Sequence, residues 1–220
     1  MRAAVIVTAA GASRRFGGSM KKEYLRFNGA TVLYNALSAF ADPQLFTDLL
    51  VTVPADGESG ARQALAGFER LDEVIFTPGG ETRQASVLAG LTALEERAPE
   101  IVLIHDGARP WCTPDLARAV AERSLEAGAA APAVASIDAM KILSRDGFIL
   151  DHLSREATFR IQTPQGFIYE DILSAHRQAA RDGGNYIDDT EIYGRYIGAV
   201  ATVPGDEANR KITYQEDLLS

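Results

Sequence analysis

The feature that most constrains the fold is the short apolar run Ala3 to Ala9, which empties directly into the loop Ala10-Gly11-Ala12-Ser13-Arg14-Arg15-Phe16-Gly17-Gly18. A continuous run of small and β-branched residues has the pattern of a strand buried on both faces, as in a parallel sheet. The loop behind it combines small residues, which let backbone N–H groups approach an anion, with arginines that supply positive charge. It lacks the G-x-G-x-x-G spacing of dinucleotide sites and the Gly-Lys-Ser/Thr of a Walker loop. Taken alone, the same composition also suits an ordinary flexible strand-to-helix connection.

Downstream, strand and helix patterns alternate. Thr31 to Phe40 has helical spacing, Leu49 to Val53 reads as a strand, and Gly60 to Phe68 as a helix. A third strand at Val74 to Phe76 leads through the turn Pro78-Gly79-Gly80 into a helix from about Thr82 to Glu96. Ile101 to Ile104 is a fourth strand ending in His105-Asp106; Thr113 caps a helix over Asp115 to Ala127, and Ala129 to Val134 is another strand. This alternation predicts an α/β fold, Rossmann-like, with a mostly parallel sheet and helices on both faces. Ligands of such sheets bind at the carboxyl ends of the strands. The loop 10–18, the Gly79-Gly80 turn and the His105 to Pro110 segment should therefore share one edge. A length of 220 residues with 46% hydrophobic content predicts a single domain over 1–220.

The alternation breaks between Ser136 and Gln162. Apolar groups at Met140, Ile142 and at Phe148, Ile149, Leu150 flank the turn Arg145-Asp146-Gly147, which predicts a projecting β-hairpin arm at about 137–161. A lone two-stranded arm is marginally stable in water, so the expected state is a homodimer with the arm against a second subunit. A helix from Tyr169 to Ala180, the turn Asp182-Gly183-Gly184, a helix through Tyr193, a strand at Ala199 to Val203 and a short final helix complete the reading.

The formal net charge of −8 argues against a nucleic-acid partner, because general phosphate-backbone affinity comes from clustered Lys and Arg. Basic residues do gather locally, at Arg14, Arg15, Lys21, Lys22 and at Arg210, Lys211. The single Cys112 and the scattered His105, His152 and His176 give no zinc-ligand spacing, so any metal should be held by oxygen. No apolar run approaches the ~20 residues of a membrane helix, and the start has no cleavage-site pattern. No membrane association and a cytoplasmic location are expected.

The run AAGASRRFG followed by KKEYL resembles the signature loop of sugar-phosphate and polyol-phosphate nucleotidyltransferases. GGETRQASVLAGL (Gly79 to Leu91), VLIHDGARP (Val102 to Pro110), DAMK (Asp138 to Lys141), QTPQGF (Gln162 to Phe167) and NRKITYQEDL (Asn209 to Leu218) narrow it. In order and spacing they resemble the 2-C-methyl-D-erythritol 4-phosphate cytidylyltransferase family over essentially the whole chain. That resemblance implies CTP and a polyol phosphate as substrates, with Mg²⁺ as cofactor. It implies catalytic roles for Arg15, Lys22 and Lys211 around the triphosphate. Ala9, Ala10, Gly11, Gly80, Glu81 and Ser86 would bind the nucleotide, with Arg83 buttressing that loop. Asp106 would meet the metal or a ribose hydroxyl, and Arg109, Arg155, Thr163 and Asp188 the acceptor. The arm would deliver its residues across a dimer interface. His105 reads as a packed residue, and Asp188-Asp189 also suits a solvated turn.

Three positions depart from the family pattern: Ala139 and Ile187 stand where threonines are expected, and Ser154 where an aspartate is expected before Arg155. These departures touch the acceptor side and leave the CTP side intact. A ribitol-5-phosphate cytidylyltransferase is the neighbouring reading, and a nucleotide-binding sensor without catalysis is the alternative of another class.

Overall fold

In the computed structural model, residues 2–11, 16–17 and 21–218 are described. The first apolar run forms β1 (Ala3–Thr8), with its first five residues fully buried. A small ladder of β2 (Arg26–Phe27) and β3 (Ala30–Thr31) leads into α1 (Val32–Ser38), then β4 (Phe46–Val53), α2 (Glu58–Ala64), β5 (Ile75–Pro78) and α3 (Arg83–Ala93). These are followed by β6 (Ile101–Asp106), α4 (Pro114–Ala127) and β7 (Ala129–Ala135). Threonine hydroxyls set the helix starts: Thr31, Thr82 and Thr113 accept from the backbone N–H groups of Tyr34, Ala85 and Leu116.

Four parallel strands lie in the order β5-β4-β1-β6. The chain leaves β1 toward one edge and returns to its other side at β6, so strand order reverses between β1 and β6, and a crevice opens at their carboxyl ends. There Thr8 stands opposite both Thr52 and Asp106. Strand residues alternate between two cores. Val5, Val7, Leu49, Val51 and Leu103 pack with α1, α2 and α4, whereas Ala4, Ile6, Leu50, Val102 and Ile104 pack with α3. Burying each large side chain of this kind contributes about 1.5–3 kcal/mol.

Beyond β6 the sheet becomes antiparallel. The hairpin of β8 (Lys141–Leu143) and β9 (Ile149–His152) projects first, and β10 (Phe159–Ile161) then rejoins the sheet on β7. β11 (Gln165–Ile168) lies between β6 and β7, antiparallel to both. α5 (Tyr169–Asp182) and α6 (Asp189–Tyr196) join α3 on the second face, and β12 (Ala201–Pro204) runs parallel to β7. Sequence alone assigns no strand to the segment from Gln162 to Phe167. β11 is hidden there because four residues including Gln165 and Gly166 carry no apolar alternation although three of them are buried. A Cβ at Gly166 would lie 2.2 Å from Ser124 Oγ, so close packing on α4 explains the glycine. The expected arm is shortened as well: the hairpin spans residues 141–152, and 159–161 belong to the main sheet. Its apolar side chains face solvent, with Ile137 and Phe148 each 73% and Leu150 67% exposed. Among the described residues no helix is long and apolar enough to cross a membrane.

Candidate active site

Backbone hydrogen bonds knit the strand ends around the crevice. Ala9 donates to Thr52 O (3.0 Å), Gly107 to Thr8 O (3.0 Å) and Gly79 to Val53 O (2.8 Å), so the loops after β1, β5 and β6 are held in one layer. They enclose a cleft of about 390 Å³, with Ala10, Gly11, Lys22, Gly80, Glu81, Ser86, Asp106 and Lys211 on its walls. These expected site residues converge from opposite ends of the chain. Ala9 is buried behind the wall rather than on it. Arg15 lies outside the described residues.

The glycine turn needs its glycines. A Cβ on Gly79 would come within 2.3 Å of Ala10 Cβ and 2.7 Å of Ser86 Oγ. Ser86 is buried; its hydroxyl donates to Thr82 O (2.9 Å) and accepts from Gly80 N–H (3.1 Å). It therefore shapes the turn on which a base could rest. On the opposite wall the Lys22 ammonium donates to Ile212 O at 2.6 Å, and Lys21 donates to Gly11 O. Lys211 is presented between two fully buried neighbours: Asn209 donates to Thr163 O (2.9 Å), and the Ile212 N–H to Ala108 O (2.8 Å).

Asp106, at the end of β6, is the electrostatic centre. Lys211 Nζ lies 2.6 Å from Oδ2, Arg83 Nε 3.0 Å from Oδ1, and Arg109 Nε 3.7 Å from Oδ2. Burial alone would raise the carboxyl pKa, but Arg83, Lys211 and Arg109 hold it well below the usual range. His105 beside it is fully buried, and that desolvation lowers it to about 4. Its Nε2 faces Arg109 O (3.2 Å), an acceptor, so the neutral ring carries its proton there. Nδ1 then accepts from the Thr163 hydroxyl (3.0 Å), which itself accepts the Asp106 N–H (3.0 Å). His105 is thus a packed, neutral bracket, as its sequence context implies.

Arg83 reaches further than a loop buttress. Its Nη2 lies 2.8 Å from Oδ2 of the fully buried Asp189, a close ion pair poorly aligned for hydrogen bonding. Asp189 Oδ1 accepts from Nε2 of His176, also fully buried, at 3.0 Å. Burial opposes ionisation of Asp189, yet Arg83 and His176 keep its pKa low. The sequence shows the Asp188-Asp189 doublet but not which aspartate turns inward. Asp188 caps α6, accepting from Glu191 N–H (3.0 Å) and Gln165 Nε2 (3.0 Å), so the structure keeps it out of the cleft wall. Thr163 likewise spends its hydroxyl on the bracket and is buried. Arg155 is exposed in a short 3₁₀ turn after the hairpin, away from the cleft of its own chain.

A mostly parallel sheet whose switch-point crevice sets glycine-turn backbone against lysines and a clamped carboxylate defines an α/β protein with its candidate ligand site at the carboxyl ends of the strands. The family described as IspD, 2-C-methyl-D-erythritol 4-phosphate cytidylyltransferase, matches residues 3–220, and the chain belongs to it. The 2-C-methyl-D-erythritol 4-phosphate cytidylyltransferase of Pelotomaculum thermopropionicum is 41% identical over 225 residues, covering 99% of this chain and 91% of its own. The bifunctional enzyme IspD/IspF of Nitrobacter hamburgensis is 42% identical over 223 residues, covering 99% of this chain but 54% of that enzyme. The chain thus spans about half the length of relatives of the bifunctional kind. The crystal structure of 2-C-methyl-D-erythritol 4-phosphate cytidylyltransferase from Thermus thermophilus superposes with a TM-score of 0.81 at 32% identity, covering 100% of this chain and 96% of that one. 4-Diphosphocytidyl-2C-methyl-D-erythritolsynthase from Anaerococcus prevotii gives 0.86 at 26%, covering 99% and 92%.

Proposed function

We propose that this chain transfers a cytidylyl group from CTP to 2-C-methyl-D-erythritol 4-phosphate, forming 4-diphosphocytidyl-2-C-methyl-D-erythritol and pyrophosphate. The observation that carries this reading is the convergence of Lys22, Lys211 and Asp106 beneath the Gly79-Gly80 turn. The acceptor's phosphate monoester, with a second pKa near ~6, is already an anionic nucleophile at neutral pH. Its oxygen attacks the α-phosphorus as the bond to pyrophosphate breaks. No base is needed, in keeping with the neutral and fully engaged His105. The chain's task is to offset charge where two anions meet. Lys22 and Lys211, with Arg15 from the first loop, serve that role. Arg109, which lies behind the cleft wall with Nη1 donating to Asn209 O (2.7 Å) and Nε 3.7 Å from Asp106 Oδ2, is assigned to the acceptor phosphate on the family resemblance, its planar donor fork matching phosphate oxygens.

Among the described residues, no cluster of three acidic, His or Cys side chains could cage a metal ion. Asp106 keeps unused lone pairs on both oxygens and lines the cleft, which fits Mg²⁺ held chiefly by phosphate oxygens and water with one protein carboxylate beside it. When bound, Mg²⁺ would supply further neutralisation of the triphosphate. The exposed apolar arm supports a homodimer in which Arg155 reaches the partner subunit's cleft. Both substrates are phosphorylated anions, which supports a cytoplasmic site of action.

Ala139 and Ile187, the latter 90% exposed, stand where the family pattern has threonines and leave the acceptor side less defined than the CTP side, so ribitol 5-phosphate is the second reading for the acceptor. Pyrophosphate release from CTP and Mg²⁺ with each polyol phosphate in parallel decides between them. Release with the methylerythritol phosphate is expected. Release with ribitol 5-phosphate alone would reassign the acceptor, and CTP binding without release from either would favour a sensor.

A further inference from the structure

Three helices on one face of the sheet contribute to a line of charged and polar groups that ends in the cleft. His176 of α5 donates to Asp189 at the start of α6, Asp189 pairs with Arg83 at the start of α3, and Arg83 pairs with Asp106 at the end of β6. His176 and Asp189 are both 0% exposed, and neither lines the cleft. Burying a carboxylate costs several kcal/mol of lost hydration, and apolar packing often stabilises such a position as well or better. Apolar packing would serve stability at least as well, so the role of these groups lies where the line ends.

Of the three cations on Asp106 among the described residues, Arg109 stands off at 3.7 Å and the two nearer ones differ in freedom. Lys211 contacts it by a single ammonium on a side chain that is 34% exposed, so it can turn toward an incoming anion. Arg83 is forked between two carboxylates. A triphosphate in the cleft attracts both. Only a counter-charge behind Arg83 lets Lys211 leave while the guanidinium stays on Asp106.

We propose that Asp189 and His176 are positioning residues that anchor Arg83 on Asp106 against the pull of bound nucleotide triphosphate, keeping the carboxylate in place while Lys211 turns to the substrate. This rests on the cytidylyl-transfer reading for its kinetic consequence, but the anchor itself can be observed without turnover.

The test compares His176→Gln, whose amide nitrogen can occupy the place of Nε2, with His176→Asn, which is too short, and adds Asp189→Asn. At saturating CTP, H176N and D189N should lower kcat about 10- to 100-fold, with KM for CTP within about threefold, as expected when a misplaced group slows chemistry rather than binding. H176Q should recover most of the turnover. In an Asp106→Asn background, H176N should cost no more than about a further twofold, because the end of the line is gone. The Arg83 Nε–H nitrogen-15 resonance, assigned by its loss in Arg83→Lys, should remain protected from exchange in wild type and H176Q with CTP bound, and exchange rapidly in H176N. Equal losses in both Asp106 backgrounds, H176Q as impaired as H176N, or an unchanged Arg83 resonance would overturn the proposal. If D189N does not fold, the His176 pair and the resonance decide. Should wild type release no pyrophosphate with either acceptor while the resonance behaves as described, the anchor stands and the reaction assignment falls.

Discussion

The Lys211 ammonium lies 2.6 Å from Oδ2 of Asp106, although 105 positions separate them in the chain. The contact exists because β6 delivers Asp106 to the crevice and the buried Asn209 and Ile212 pin the tail across it. Lys211→Ala should leave the fold intact, since a third of the side chain is exposed, yet lower kcat by at least about 100-fold, the scale of losing one preorganised charge at a developing oxyanion. Steady-state kinetics alongside circular dichroism checks both. Near-normal turnover would remove Lys211 from the reaction.

Asp106→Asn separates the clamp from the metal. Turnover should fall about tenfold or more, because Arg83 and Lys211 lose their shared counter-charge. The Mg²⁺ concentration for half-activation should rise less than about threefold if phosphates hold most of the metal. A rise of about 100-fold would instead make Asp106 the principal ligand.

Stability should depend on pH in two stages. His105 sits at about 4 in the folded protein, below the ordinary ~6.5, so between those values the unfolded chain binds a proton that the folded chain does not. Stability is therefore full above about 6.5 and declines as pH falls toward about 4. Further acidification protonates the unfolded forms of Asp106 and Asp189 first, since both are held low when folded, and stability falls again. Melting temperature against pH should show both slopes. His105→Asn should flatten the first and keep the second.

Phe148→Glu with Leu150→Glu places charge on the exposed apolar side of the arm. Light scattering should find a dimer for wild type and a monomer for the variant, and KM for the acceptor should rise about tenfold or more if Arg155 acts across the interface. A dimeric variant with unchanged KM would leave the arm without that role.

Gly79→Ala should weaken CTP binding at least about tenfold by calorimetry, because the added methyl meets Ala10 and Ser86 and forces the turn off the first loop. Unchanged affinity would mean that the base does not rest there.

By itself the sequence determined the strand-helix alternation, the switch-point edge, the hairpin and most cleft residues. The elements are written locally, since apolar runs give strands and threonine caps and glycine turns mark boundaries, whereas the wall residues were implied by the resemblance of the motifs to a family. Tertiary structure decided everything that depends on which strand lies beside which. β11 is a strand only because β6 and β7 flank it. Thr163 and Asp188 became brackets rather than cleft residues because their oxygens are consumed by Asp106 N–H and by α6. His176, which looks isolated in the chain, reaches the site through Asp189 and Arg83. Local patterns record what a residue prefers beside its neighbours in sequence. Charge pairing between residues tens of positions apart exists only after the sheet has closed over a shared core, where lost water makes each remaining partner decisive.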